Sequence, residues 1–239
     1  MTYILAIPIF NEEHNIKKLI DTINNSFLKN DSSCTKIVLV NDGSIDRSKS
    51  IINSCIKKKD KILLLNHKIN KGYGAALRTA IRYSKNKSDY IIFADSDLTN
   101  PLNDIKKIKR FMKKKIDYIQ GDRLSAGLDL LPLERKIFTL FGNIIAKLLM
   151  NMNLNDYTGG YRAVKVLLYN KIVLKENDFS IIMEEKYKLK DKIYSIRQFK
   201  TKIHVRSDDL RKTSFNYRLP LLIKYLMYCL KTIFVKRNF

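Results

Sequence analysis

The first half of the chain alternates short apolar runs with longer amphipathic segments, and this alternation limits the possible folds most. Five near-continuous apolar runs, typical of strands buried on both faces, occupy residues 3–9, 36–40, 61–65, 89–94 and 117–120. Helical patterns fill the intervals at 13–28, 46–58, 73–85 and 102–115. Strands and helices in strict alternation predict an α/β fold with a parallel sheet and right-handed crossovers.

Polar clusters follow each of the five predicted strands. They are Asn11-Glu12, Asn41-Asp42-Gly43-Ser44, residues 66–74, Asp95-Ser96-Asp97 and Gly121-Asp122-Arg123. Parallel sheets bind ligands beyond the carboxyl ends of their strands, so we expect all five clusters at one edge of the sheet.

Asp95 and Asp97 place two carboxylates one residue apart, directly after the apolar run that ends at Ala94. Neighbouring like charges raise each other's pKa, and a divalent cation between them relieves that repulsion. Carboxylate oxygens suit Mg²⁺ or Mn²⁺. A solvated turn with acidic caps is the alternative interpretation of these residues.

The chain is strongly basic, with 46 Lys and Arg against 23 Asp and Glu and a formal net charge of +23. Such a surface attracts phosphates, whether in nucleic acid, anionic lipid or nucleotide substrates. A nucleic-acid-binding protein would explain the charge, but acidic clusters at the ligand edge would repel a phosphate backbone. We therefore expect no nucleic-acid partner.

Cysteine and histidine provide no further candidate centre. The three cysteines are widely spaced, which predicts neither a disulfide framework nor a zinc site and fits a reducing cytosol. The three histidines are scattered, which argues against a histidine-built metal site or a Ser-His-Asp triad. The N-terminus leads directly into a strand and lacks the basic region of a secretory signal.

Two apolar segments mark the second half of the chain. Residues 137–152 show amphipathic helical spacing. Residues 221–235 would make a helix about 22 Å long, against a hydrocarbon core of about 30 Å, and Lys224 and Lys231 interrupt the segment. We predict that this C-terminal helix lies on a membrane surface, and packing on the protein core or in a dimer is the alternative.

Six motifs occur in order: IPIFNEE, VNDGSIDRS, NKGYGAALRTAI, FADSDLTNP, GDR and DYTGGYRAVK. Together they resemble the family 2 glycosyltransferases of the GT-A fold, and most of all the polyprenyl-phosphate branch that includes dolichol-phosphate mannose synthase. The resemblance implies a Rossmann-like, mostly parallel sheet flanked by helices in a domain of residues 1–215, followed by an amphipathic helix within 216–239. A dehydrogenase is the rival interpretation of Gly72 and Gly74, but Leu77 stands where its third glycine would be.

The resemblance also implies a nucleotide-sugar donor and a divalent metal, Mg²⁺ or Mn²⁺, held by Asp95 and Asp97. Thr99 stands where relatives often have a glutamine that helps to hold the metal. The candidate donor-site residues are Pro8, Phe10, Asn11, Glu12, Asp42, Lys71, Gly72, Asp95, Ser96, Arg206 and Arg211, and around the last two the spacing departs from the family pattern. Lys212 is a further candidate in the segment that resembles the family's diphosphate-binding loop.

The predicted catalytic residues are Asp97, Arg123, Asp156, Arg162 and Glu184. A lipid phosphate acceptor is already anionic, so arginines must hold it, and Arg123 and Arg162 offer a bidentate fork. A sugar hydroxyl would need a base, for which Asp156, Glu184 or Glu185 are candidates. The alternative for Arg162 is a purely structural role in a buried pair with Asp156. For one of the two glutamates, Glu184 or Glu185, we expect a place on a solvated helix face.

The predicted function is metal-dependent, inverting transfer of a hexose from UDP-glucose or GDP-mannose to a polyprenyl or dolichyl phosphate. The predicted location is the cytoplasm, with peripheral association at the inner face of the membrane. Transfer to a saccharide hydroxyl is the alternative. The donor sugar, the isoprenoid length and the oligomeric state do not follow from the sequence.

Overall fold

The computed structural model describes residues 1–56, 61–129, 133–202, 204 and 219–234. Within them, one sheet contains β1 (Tyr3–Ile9), β2 (Cys34–Asn41), β3 (Ile62–Asn66), β4 (Tyr90–Phe93), β5 (Tyr118–Asp122), β6 (Arg162–Lys165) and β7 (Ile196–Lys200). The helices are α1 (Glu13–Asn25), α2 (Ser48–Cys55), α3 (Tyr73–Ser84), α4 (Ile105–Lys113), α5 (Leu133–Met150), α6 (Ile181–Leu189) and α7 (Leu219–Phe234). The strand order is β3-β2-β1-β4-β6-β5-β7.

The sheet is mostly parallel, as the alternation of strands and helices predicts. β1 pairs in parallel with β2 and β4, β2 with β3, and β5 with β7. β6 lies between β4 and β5 and runs antiparallel to both, which makes the sheet mostly parallel, as the family resemblance implies. The sequence did not predict β6, because Arg162 and Lys165 interrupt the apolar run that is typical of a buried strand.

Apolar clusters cover both faces of the sheet. Leu5 and Ile7 of β1 pack with α1 and α4 on one face, whereas Ile4 and Ala6 pack with α3 and α6 on the other. Successive side chains of a strand point to opposite faces, and here both faces are buried. This double burial explains why the strands read as continuous apolar runs.

α5 and α7 pack against each other, and α7 also contacts α6. Ala146, Met150, Tyr228 and Cys229 are buried where these helices meet. The helices predicted from residues 137–152 and 221–235 are thus present, and α7 packs on the protein. The predicted boundary between residues 215 and 216 lies outside the described residues.

Both helices also leave many large apolar side chains exposed. This α5/α7 apolar surface comprises Leu133, Ile137, Phe138, Leu140, Phe141, Ile144, Ile145 and Leu148 of α5 with Leu219, Ile223, Leu226, Leu230 and Ile233 of α7. In the described part of the chain, no helix combines the length and the apolar character that crossing a membrane requires.

Candidate active site

A cavity of about 600 Å³ lies at the carboxyl edge of the sheet. Its polar wall includes the predicted residues Pro8, Phe10, Glu12, Asp42, Asp95, Ser96, Asp97 and Arg123. Its apolar wall includes Phe138, Phe141, Ile145, Met183, Leu222, Tyr225 and Leu226, which come from α5, α6 and α7. The fold therefore brings most of the predicted donor and metal residues together with the amphipathic helices.

Asp95 and Asp97 lie on the loop after β4. Asp95 Oδ2 accepts a hydrogen bond from Asn100 Nδ2 at 2.8 Å, and Asp97 Oδ1 accepts from the backbone N (3.0 Å) and Oγ1 (2.7 Å) of Thr99. Burial, followed by the charge of Asp97, raises the pKa of Asp95 to about 6. Thr99 orients Asp97 through these bonds. The negative charge of the two carboxylates is only partly compensated, so a nearby cation would stabilise their ionised forms.

The carboxylate pair fits a hard divalent ion that is completed by its substrate. Among the described residues, no three His, Cys, Asp or Glu side chains gather in a metal-binding group. Mg²⁺ is commonly bound by one or two carboxylates together with water and substrate phosphates. Asp95 and Asp97 supply that number and type of ligand.

Asn11 joins two turns of the edge and does not line the cavity. Its N–H donates to Ser44 Oγ at 2.9 Å, and its Oδ1 accepts from the N–H of Ile45 at 2.9 Å. Glu12 does line the cavity, and its Oε2 accepts from Asn15 Nδ2 at 2.9 Å. Asn11 thus supports the site by holding the turns after β1 and β2 together.

The predicted residues Lys71 and Gly72 act on Asp42 through their backbones. Their N–H groups donate to Asp42 Oδ1 (3.0 Å) and Oδ2 (2.7 Å), respectively. Gly72 has a φ of 95°, and a Cβ there would lie 2.3 Å from the carbonyl oxygen of Asn177, so only glycine fits. His67, which sequence reasoning missed, lies 2.5 Å from Asp42 Oδ1 through Nδ1.

Arg123 is anchored at the cavity by Asp156. Arg123 Nε and Nη2 donate to Asp156 Oδ2 (2.6 Å) and Oδ1 (2.9 Å), and Nη2 also donates to Thr158 Oγ1 at 2.9 Å. Burial alone would raise the pKa of Asp156, but the charge and hydrogen bonds of Arg123 hold it below its usual value. Arg123 lines the cavity, and its Nη1 makes no hydrogen bond to the described residues.

Arg162 is in a buried ion pair, as its structural alternative holds, but the partner is Glu185 and not Asp156. Arg162 Nε and Nη2 donate to Glu185 Oε1 (2.6 Å) and Oε2 (2.7 Å), and neither side chain is exposed. The hydroxyls of Tyr118 and Tyr169 also donate to Glu185. Arg162 therefore lies beneath the cavity, and of the two predicted arginines only Arg123 lines it.

Glu184 is also buried, so the expectation that one of the two glutamates is solvated is wrong. Its carboxylate accepts the backbone N–H groups of Lys175 and Glu176, each at 2.9 Å, and pairs with Lys188 Nζ at 2.6 Å. These bonds fix the loop before α6. Charged residues are normally exposed, and Glu184 and Glu185 depart from that rule because both carboxylates are paired inside the protein.

Lys186 is a buried cation that sequence reasoning missed. Its side chain is fully buried, and its Nζ lacks a hydrogen-bond partner among the described residues. Burial, followed by the charge of Arg162, lowers the pKa of Lys186 to about 7. The remaining predicted donor-site residues, Arg206, Arg211 and Lys212, lie outside the described residues.

The sheet and its cavity at the strand ends define a GT-A glycosyltransferase fold. The whole arrangement is similar to glucosyl-3-phosphoglycerate synthase of Mycobacterium tuberculosis, with a TM-score of 0.67 over 97% of this chain and 78% of that chain, at 15% identity. The model of the family "Glycosyl transferase family 2" matches residues 4–173. The chain therefore belongs to glycosyl transferase family 2, and the protein is a glycosyltransferase.

Relatives with named activities are similar over parts of the chain. A dolichyl-phosphate beta-glucosyltransferase of Trichomonas vaginalis is 34% identical over 118 residues, which is 46% of this chain and only 36% of that enzyme. The UDP-N-acetylglucosamine–dolichyl-phosphate N-acetylglucosaminyltransferase of Methanococcus voltae is 27% identical over 175 residues, which is 66% of this chain and 67% of that enzyme.

Proposed function

We propose that this enzyme transfers a hexose, with inversion, from a nucleoside-diphosphate sugar to a polyprenyl or dolichyl phosphate. One observation carries the choice of acceptor: Asp156, Glu184 and Glu185, the three candidate bases, each form an ion pair inside the protein. A sugar hydroxyl needs a base, whereas a phosphate oxygen is already anionic. The names of the Trichomonas and Methanococcus relatives support the same acceptor class.

The donor lies along the polar wall of the cavity. Phe10 is 40% exposed and its ring can stack on a nucleobase, while Asp42 and Glu12 accept hydrogen bonds from the base or the ribose. The proposed donors are UDP-glucose and GDP-mannose. The mycobacterial synthase was crystallised with UDP, and the Methanococcus relative is named for a UDP-sugar, which supports a nucleoside-diphosphate donor.

Asp95 and Asp97 are the proposed ligands of Mg²⁺ or Mn²⁺. Bound there, the ion would neutralise charge on the departing diphosphate. Crystals of the mycobacterial synthase contain UDP with Mn²⁺ or Mg²⁺, which supports the assignment. Thr99 and Asn100 contribute by holding the two carboxylates in position.

Arg123 is the proposed contact of the acceptor phosphate. Asp156 and Thr158 hold its guanidinium in one orientation, and Nη1 remains for an anionic oxygen. The isoprenoid chain would follow the apolar wall formed by α5 and α7. The α5/α7 apolar surface and the basic charge of the chain then suit peripheral association with the cytoplasmic face of a membrane.

A turnover screen tests this proposal. Purified protein with Mg²⁺ or Mn²⁺ is given labelled UDP-glucose, UDP-N-acetylglucosamine or GDP-mannose, together with undecaprenyl phosphate, dolichyl phosphate or a panel of saccharides. We expect label in the organic phase with one of the donors, its loss in Asp97→Asn, and its retention in Lys17→Gln, a variant of an exposed residue of α1. Label on saccharide acceptors alone would reject the lipid phosphate.

A further inference from the structure

Asp42, His67 and Thr79 form a line of hydrogen bonds behind the polar wall of the cavity. His67 Nδ1 lies 2.5 Å from Asp42 Oδ1, and His67 Nε2 lies 2.9 Å from Thr79 Oγ1. Asp42 directly follows β2, His67 directly follows β3, and Thr79 lies in the middle of α3. The side chains of His67 and Asp42 are only 9% and 3% exposed, so water competes little for these bonds.

The protons in this line follow from the chemistry of its members. An ionised carboxylate only accepts hydrogen bonds, so the hydrogen between Asp42 and His67 belongs to Nδ1 of the imidazole. In the neutral ring, Nε2 then accepts from the hydroxyl of Thr79. Thr79 thereby fixes the plane of the ring, and the ring fixes the carboxylate.

After the hydrogen bonds that the described residues donate to it, Asp42 retains one unused acceptor direction. A carboxylate offers about four lone-pair directions. Oδ1 receives His67 and the N–H of Lys71, and Oδ2 receives the N–H of Gly72, which leaves one direction on Oδ2. Because Asp42 lines the cavity, that direction is available to a ligand there.

We propose that His67 is a positioning residue, which aims the carboxylate of Asp42 at the nucleoside of the donor. The inference rests on the proposed function, because it assumes that the polar wall holds a nucleoside diphosphate. His67 lies behind Asp42 and contacts the donor only through it. Loss of its N–H frees Asp42 Oδ1 to turn, and the donor then loses a well-directed, charge-assisted hydrogen bond.

Calorimetric titration of UDP and of GDP, each with Mn²⁺, tests the inference. His67→Phe keeps the ring but has no N–H, whereas His67→Asn keeps an N–H donor near the position of Nδ1. For the nucleotide that the wild type binds, we expect about a 10-fold higher Kd in His67→Phe and less than about a 3-fold change in His67→Asn. In steady-state kinetics, the KM for the donor should change by a larger factor than kcat, which is measured at saturating donor.

Two results would overturn the inference: an unchanged Kd in His67→Phe, or an equal loss in His67→Asn and His67→Phe. If His67→Phe does not fold, the Kd of Thr79→Val is measured in its place, because this variant lacks the hydroxyl that holds the ring of His67. We expect about a 3-fold higher Kd there, and an unchanged Kd contradicts the inference. A wild type that binds neither UDP nor GDP would instead reject the proposed donor class, and the role of His67 with it.

Discussion

Arg162 and Glu185 form a bidentate ion pair beneath the cavity, with both side chains fully buried. Arg162 belongs to β6 and Glu185 to α6, so the pair joins the antiparallel strand to the helix that forms part of the cavity wall. The Arg162 guanidinium also lies over the ring of Phe93, 4.4 Å from its centroid. The pair thus links β4, β6 and α6.

Removal of one partner of this pair should be strongly destabilising. Glu185→Leu leaves the Arg162 charge buried without its counter-ion, which costs about 3 to 5 kcal/mol in free energy of unfolding. Urea denaturation of the purified variant measures this loss. The double variant Arg162→Met/Glu185→Leu should recover most of it, and a single variant within about 1 kcal/mol of the wild type would contradict the role assigned to the pair.

Lys186→Met should stabilise the fold near neutral pH. The pKa of Lys186 is about 7 in the folded protein, whereas an unfolded lysine has about 10.4. Between these values the unfolded chain binds more protons, so the wild type gains stability as the pH rises from 7 to about 10. The variant should lack this slope and be more stable at pH 7 by about 2 kcal/mol or more.

Chemical denaturation of the wild type and Lys186→Met across this pH range checks the prediction. The groups that act on Lys186 include Arg162, Glu185, Asp156 and Arg123, and all of them are present in both proteins. The pKa values of the two carboxylates are lowered and those of the two arginines are raised, so none of the four titrates between pH 7 and 10. A difference that does not vary with pH would show that Lys186 remains protonated in the fold.

The α5/α7 apolar surface should carry the binding to lipid. Ile144 and Leu148 of α5 are 55% and 75% exposed, so Ile144→Ser/Leu148→Ser removes apolar area from this surface at little cost to the core. We expect about a 10-fold lower partition onto vesicles that contain anionic lipid, measured by sedimentation.

Leu167→Ser is the matched control for the vesicle experiment. Leu167 is 65% exposed and follows β6, whose end lies at the opposite edge of the sheet from the cavity. Its replacement should leave partition unchanged. Equal losses in the control and in the α5 variant would mean that general hydrophobicity, and not this surface, drives the binding.

Arg123→Lys should weaken use of the acceptor more than binding of the donor. Lysine keeps the charge but cannot reproduce the fork that bonds Asp156 and Thr158 while it faces the cavity. We expect kcat/KM for the acceptor to fall about 10-fold or more, from the loss of a charge-assisted hydrogen bond. Affinity for UDP should stay within about 3-fold. A Kd for UDP that rises as much as kcat/KM falls would place Arg123 on the donor instead.

The first five strands and the edge at which the cavity opens could be predicted, because buried strands read as apolar runs and parallel strands end at one edge. Asp95, Asp97 and Arg123 line the cavity for that reason. The partner of Arg162 could not be predicted, because sequence order does not show which carboxylate faces a side chain across the core. Likewise, the link between Asp42 and His67 joins residues 25 positions apart through the pairing of β2 and β3.

The most direct test of the account is an anomalous difference map from crystals grown with Mn²⁺ and the nucleoside diphosphate of the donor. The account predicts one strong Mn²⁺ peak within coordination distance of the Asp95 or Asp97 carboxylate and of the diphosphate, and its loss in Asp97→Asn. A diphosphate and a metal that are both bound away from these two aspartates would contradict it.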